Sequence, residues 1–212
     1  MRRYSLTDRL IEHADQVLRT LTPDNRAALR ANPGQTLPTA ELSPDQRREV
    51  AGLMRVNHSG EVCAQALYHG QALTARLPTV RREMERAALE EQDHLAWCED
   101  RLKELGSHIS IFNPLWYGLS FGIGAAAGIA GDQWSLGFVA ETEKQVCAHL
   151  ESHMQRVPAT DERTHAILNQ MHADEDHHRN QALAAGGIDL PPPIRRIMGL
   201  VSRIMTQASY HA

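Results

Sequence analysis

Two short segments of this chain carry the same pair of metal-ligating side chains. Glu91-Gln92-Asp93-His94 and Glu175-Asp176-His177-His178 each contain a Glu-x-x-His. Each has a lone Glu about one helix length upstream: Glu61 stands 30 residues before Glu91, and Glu143 stands 32 before Glu175. Residues i and i+3 share a helix face, so the Glu and His of one motif can reach the same ion. Carboxylates suit hard, oxophilic ions, and imidazole suits iron among others. A four-helix bundle that holds two iron or manganese ions needs one Glu from each of two helices and a Glu-x-x-His from each of the others. The candidate ligands are therefore Glu61, Glu91, His94, Glu143, Glu175 and His178.

Motif counting alone does not carry this reading. With 15 Glu and 12 His in 212 residues, a Glu-x-x-His arises by chance about once, and the chain has a third at Glu162–His165. Helical phase separates them. Leu168, Met171, Glu175, His178 and Ala182 follow 3-4-3-4 spacing on one inward face. Glu162 precedes Glu175 by 13 residues, about 220° around a helix, so Glu162–His165 reads as a solvated pair. Three further faces carry the other candidates: Met84, Ala88, Glu91, Leu95, Cys98, Leu102, Leu105; then Leu136, Val139, Glu143, Val146, Leu150, Val157; then Val50, Met54, Asn57, Glu61, Ala64, Tyr68, Ala75. Glu141 rivals Glu143, but aligns with Gln145, Ala148 and Ser152 on a polar side. Burying so many ionisable groups without partners is very costly. None of the four faces supplies a Lys or Arg, so bound metal is the natural compensation.

The elements that must position these residues are all helical. No run alternates like a strand, and aromatics make up only 5%, which predicts an all-α chain of one domain. Residues 1–43 form an N-terminal helix and loop, 44–185 the bundle, and 194–208 a C-terminal amphipathic helix. Leu10, Ile11, Ala14, Val17, Leu18 and Leu21 space as a short helix stopped near Pro23; residues 22–43 read as a surface loop. Ser43-Pro44 starts the first bundle helix, which ends near Arg76 before Pro78. Gly60 beside Glu61 permits close packing at the metal or is merely tolerated. Thr79 caps the second bundle helix, which stops at Gly106. The third runs from Asp132 to Val157, and the fourth from Ala159 to Ala185.

Between the second and third bundle helices, residues 109–131 carry no charge. Pro114 and five glycines interrupt this stretch, and a single span would put bundle helices on opposite sides of a membrane, so a span is rejected. It reads either as a buried crossover or, preferably, as an apolar surface that meets lipid or holds a greasy ligand. After Pro191-Pro192-Pro193, one side of the last segment is apolar (Ile194, Ile197, Met198, Val201, Ile204, Met205), with Arg195, Arg196 and Arg203 elsewhere. Such a helix can lie in a membrane interface. A net charge of -4 and a pI near 6.3 argue against a nucleic-acid partner. Cys63, Cys98 and Cys147 form no Cys-x-x-Cys and read as reduced, packed thiols of a cytosolic protein. Met1-Arg2-Arg3-Tyr4-Ser5 leads into no apolar stretch, so no signal peptide is expected.

These residues resemble the demethoxyubiquinone hydroxylases, di-iron monooxygenases of ubiquinone biosynthesis with a ferritin-like four-helix bundle. The resemblance runs from about Arg55 to the C-terminus. It is carried by Arg55-Val56-Asn57-His58-Ser59-Gly60-Glu61, by both Glu-x-x-His segments, by Glu143 followed six residues later by His149, and by the uncharged insert. It implies two iron ions per chain, with Glu91 and Glu175 bridging and Glu61 and Glu143 terminal. It implies O2-dependent hydroxylation of a polyprenylated 3-methyl-6-methoxy-1,4-benzoquinol ring. Peripheral attachment to the cytoplasmic side of the cell membrane is expected through the 109–131 insert and the 194–208 helix, with other ubiquinone-biosynthesis proteins as further partners. His149 lies about 240° from Glu143, so it stands behind the ligands, lines the quinol path, or packs between helices. The insert is expected to be the entry path, with Phe112, Trp116, Tyr117 and Phe121 packing on ring or tail and its glycines admitting the flat ring. Two readings from other classes are a di-iron hydroxylase of another substrate and a ferritin-like iron-binding protein. A rubrerythrin-like peroxidase would bring a Cys-x-x-Cys that is absent here.

Overall fold

A computed structural model describes residues 6–22 and 28–212. The Pro23 stop, the Met1–Ser5 segment and the side chain of Leu10 lie outside the described residues. The chain order is α1 (Leu6–Leu21), α2 (Pro44–Thr74), α3 (Pro78–Glu104), α4 (Asn113–Ala130), α5 (Asp132–Arg156), α6 (Glu162–Ala184) and α7 (Pro192–His211). No strand occurs among the described residues, and the all-α, ferritin-like bundle is as expected. None of their helices is long and apolar enough to cross a membrane.

The bundle is α2, α3, α5 and α6. Its core alternates apolar layers, such as Leu53, Met54, Trp97, Leu150 and Met171, with the polar layer of candidate ligands. Polar ties at the ends fix the helix directions. Arg76 and Leu77 donate their backbone N–H groups to Asp132 at the start of α5, at 3.0 and 2.9 Å, so α3 and α5 begin at the same end. At the other end Arg101 of α3 meets the α6 N-cap Asp161 at 2.9 Å. Arg156 at the end of α5 pairs with Glu49 of α2. Two parallel helices need a crossover, and α4 supplies it, running alongside α2.

Ser43 caps α2 through a capping box with Gln46, which stabilises such an end by about 1 kcal/mol. Two expected helix starts are shifted. Thr79 does not cap α3: the helix begins at Pro78 after Leu77 with no side-chain cap, and Asp132 takes the N–H groups of Arg76 and Leu77 just before it. The start of α6 is Glu162, not Ala159, because the Asp161 side chain caps it.

Two glycines of the insert, Gly124 and Gly128, serve helix packing, whereas a Cβ on Gly118 or Gly122 would meet nothing within 4 Å. A Cβ on Gly124 would fall 2.2 Å from the Leu67 carbonyl oxygen, and one on Gly70 would fall 2.3 Å from that of Phe121. The backbones of α2 and α4 touch at these points, which excludes side chains there. The loop after α1 runs over the surface as expected and is tied to the bundle. Leu37 accepts a hydrogen bond from Arg163 at 2.7 Å, and Arg30 reaches inward to α3 and α6. The apolar stripe of α1 is only half used: Val17 and Leu21 pack on the core, while Ile11 and Leu18 stay exposed.

Candidate metal centre

All six candidate ligands converge inside the bundle. Glu61 comes from α2, Glu91 and His94 from α3, Glu143 from α5, and Glu175 and His178 from α6; none is more than 5% exposed. Ligand atoms of Glu61, Glu91, His94 and Glu175 lie within 4.8 Å of one another. Glu143 faces the same group and accepts a hydrogen bond from the Tyr68 hydroxyl. Glu141 instead sits at the edge of the helix, its side chain 11% exposed, beside Lys144 and Gln145. The Glu162–His165 pair lies away from the cluster, with Glu162 exposed.

The two central carboxylates each offer one oxygen to each histidine. Glu91 places Oε2 2.9 Å from His94 Nδ1 and Oε1 3.3 Å from His178 Nδ1. Glu175 places Oε1 3.0 Å from His94 Nδ1 and Oε2 3.5 Å from His178 Nδ1. The opposite edge of each ring is fixed by an acid. His94 Nε2 donates to Asp174 at 2.9 Å, and His178 Nε2 donates to Glu90 at 2.5 Å. Because an ionised carboxylate only accepts, Nε2 carries a proton in each ring, and with a cation held among the carboxylates Nδ1 would be the nitrogen free to face it. Such a hydrogen bond fixes the tautomer of a metal-ligating imidazole and raises its basicity.

Several polar atoms here have no hydrogen-bond partner: Glu91 Oε1, Glu143 Oε2, both Glu175 oxygens and His178 Nδ1. Burial pushes Glu61 and Glu143 well above the ordinary carboxylate range, with Glu91 raising the first further and Glu175 the second. Burial also pushes Glu91 up, but the facing His94 and His178 outweigh it and hold Glu91 well below. His94 is raised: burial opposes, and the acids around it, Glu91 first, prevail. The cluster without metal thus stores protons that an entering cation would displace. The donor set, oxygen-rich with two imidazoles, fits divalent iron or manganese.

A cavity of about 310 Å³ opens beside this centre, and Glu61 forms part of its wall. Its other walls are mostly apolar: Leu67 of α2, Trp116, Leu119 and Ile123 of α4, Phe138 of α5, and Ile197, Met198 and Val201 of α7. Gly60 also lines it, and a Cβ there would meet nothing within 4 Å. Gly60 is therefore open space at the cavity rather than a close packing contact.

The model of the family "Ubiquinone biosynthesis protein COQ7" matches residues 48–209. The chain is 63% identical over 211 residues to a 3-demethoxyubiquinol 3-hydroxylase of Acinetobacter baumannii, covering all of both chains. It is 62% identical to the enzyme of that name from Acinetobacter baylyi over the same length. Against the one from Pseudomonas fluorescens it is 57% identical, covering 99% of this chain and 97% of the relative. The chain belongs to the COQ7 family.

Within this COQ7-family chain, the insert contributes to the cavity less widely than expected. Of its four aromatics only Trp116 lines the cavity. Tyr117 stacks on Phe121 and bonds His69 at 3.0 Å, on the side of α4 that faces the core. The unexpected wall is α7. His149 also lines the cavity and stacks on His153 with ring centres 6.4 Å apart; His153 Nδ1 lies 2.7 Å from Asn57 Oδ1, which lines the cavity too. The residues missed from sequence are Glu90, Asp174, Asp93 and Arg30. For the first two a signal existed: an acid directly precedes the Glu of both Glu-x-x-His motifs.

Proposed function

We propose that this chain is a di-iron monooxygenase that hydroxylates a polyprenylated 3-methyl-6-methoxy-1,4-benzoquinol ring in ubiquinone biosynthesis. The observation that carries the metal part is the convergence of four buried carboxylates on two buried imidazoles, an excess of negative charge that would be strongly destabilising unless a cation offset it. Glu61, Glu91, His94, Glu143, Glu175 and His178 would hold two iron ions. The split of Glu91 and Glu175 between the two histidines supports both as bridges. Bound iron would supply the activation of O2. The chain's own residues fix the geometry and keep water out, with apolar side chains above and below the polar layer. In the overall reaction one oxygen atom replaces a ring hydrogen as hydroxyl and the other leaves as water, with two electrons and two protons from an external reductant.

The names of the relatives and the apolar cavity at Glu61 support a greasy quinol as substrate. An iron store would need no such cavity. The test is turnover of iron-loaded protein with reductant and a short-tailed demethoxyquinol under labelled O2. The expected product carries one labelled oxygen on the ring. No hydroxylated product, with two irons bound, would favour a hydroxylase of another substrate; a metal content near zero in folded protein would remove the di-iron reading.

We also propose peripheral attachment to the cytoplasmic face of the cell membrane. Leu115 and Leu119 of α4 and Ile197, Leu200 and Ile204 of α7 are exposed, beside Arg195, Arg196 and Arg203. An anionic leaflet attracts such cations by about 1 kcal/mol each. Binding to anionic vesicles should weaken with salt and with the triple Arg→Gln change, which spares the cavity wall. A protein that floats free of vesicles at every salt concentration would remove this proposal.

A further inference from the structure

The loop that precedes the bundle reaches the metal centre from behind. Asp93, the residue before His94, accepts backbone N–H groups from Leu29 at 2.6 Å and Arg30 at 3.3 Å. The Arg30 side chain then forks. Its Nε donates to Asp93 Oδ2 at 2.7 Å, on α3, and its Nη1 lies 2.8 Å from Asp174 Oδ2, on α6. That same Asp174 oxygen accepts from His94 Nε2 at 2.9 Å. Gln170 holds the other Asp174 oxygen at 2.9 Å. The guanidinium is seated 4.9 Å from the Trp97 ring centre, and Trp97 packs against His94 with ring centres 5.4 Å apart. The two acids that Arg30 joins belong to the segments carrying the two Glu-x-x-His motifs. Arg30 itself lies outside residues 48–209, which the family model matches.

We infer that Arg30 is a positioning residue of the metal centre, acting on His94 through Asp174. The inference rests on the di-iron reading above. The backbone N–H groups of Leu29 and Arg30 already anchor the loop on Asp93, so the side-chain fork does something more. Asp174 is partly open to solvent at 18%, whereas His94 is fully buried. A carboxylate at such a boundary can turn toward water. Held by Arg30 on one oxygen and Gln170 on the other, it stays aimed at His94 Nε2. That keeps the proton on Nε2 and the Nδ1 lone pair on the metal side. The planar fork of arginine suits this task, since lysine, a single point of charge, cannot hold both acids in fixed geometry.

The experiment titrates cobalt(II) into metal-free, full-length protein and reads both affinity and the absorption bands of the bound ion. Arg30→Gln should bind about 10–100-fold more weakly, the usual effect of losing such a supporting group, with altered bands. Its helix content and melting temperature should stay close to the parent's. Arg30→Lys should recover the affinity only in part. Adding Arg30→Gln to Asp174→Asn should cost nothing further, because both act through one contact. Unchanged affinity and bands in Arg30→Gln would overturn the inference, as would additive losses in the double variant, or an affinity loss matched by lost helix content. A parent protein that binds no cobalt would instead bring down the metal reading, and this inference with it.

Discussion

Asp174 accepts a hydrogen bond from His94 Nε2 at 2.9 Å, although the two residues belong to different Glu-x-x-His segments. Glu90 does the same for His178. The bracing is crossed: the acid preceding each motif's Glu holds the histidine of the other motif. Each acid therefore couples α3 to α6 at the level of the ligands. Asp174→Asn or Glu90→Gln should keep the fold and weaken metal binding about 10–100-fold. Isothermal titration with ferrous or cobaltous ion is the check, and parental affinity in both variants would remove the bracing role.

Glu143 and Glu141 differ by two positions and by environment. Glu143→Ala should abolish metal-dependent activity and leave one ion bound less tightly, whereas Glu141→Ala, which loses only Lys144 and Gln145, should leave both intact. Metal content and turnover of the two variants decide between them. The opposite pattern would mean that α5 carries its ligand on the other face.

His153 predicts a pH dependence of stability. Burial, with His149 and Arg156 adding, lowers its folded-state pKa to about 4 from the ordinary 6.5. The unfolded chain then takes up a proton that the folded chain refuses, so this contribution is full above pH 6.5 and is lost progressively down to about pH 4. The gap is worth on the order of 3 kcal/mol. Urea unfolding at stepped pH should show a shallower acid-side decline in His153→Gln than in the parent. Equal slopes would mean that His153 is not the group responsible.

Ile123 lines the cavity from α4 and is 37% exposed. A charge there, as in Ile123→Asp, should leave both irons bound and cut hydroxylation of a long-tailed quinol severalfold. A water-soluble short-tailed analogue should suffer much less, because it need not pass from lipid. Equal loss for both substrates, with metal retained, would count against entry along this wall.

The four inward faces were legible in sequence because burial imposes a helical period on every residue they contain. All the Glu and His candidates stand where apolar residues otherwise recur, and phase alone separated Glu143 from Glu141 and Glu175 from Glu162. What escaped has no period. Arg30 meets Asp93 and Asp174 through side chains whose chain separation gives no clue to contact. Glu90 and Asp174 were hidden as ordinary surface acids, although their shared place before Glu91 and Glu175 was a usable sign. The packing role of Gly124 escaped for a physical reason: absence of a side chain admits any close neighbour, and at Gly124 the neighbour is the α2 backbone. Likewise the α7 face reads the same whether it covers lipid or a cavity.

The backbone contact at Gly124 also decides which side of the cavity can yield. Where α4 lies against α2 without intervening side chains, small displacements meet the steep part of the repulsive potential, so that wall is stiff. The opposite wall is α7, in which Ser209 alone is fully buried. The last helix should therefore be the compliant cover over a rigid floor, and a molecule of larger girth should displace it rather than α4. Amide exchange should accordingly be slow through the middle of α4 and faster in the first turns of α7, with the contrast narrowing when a quinol fills the space between them.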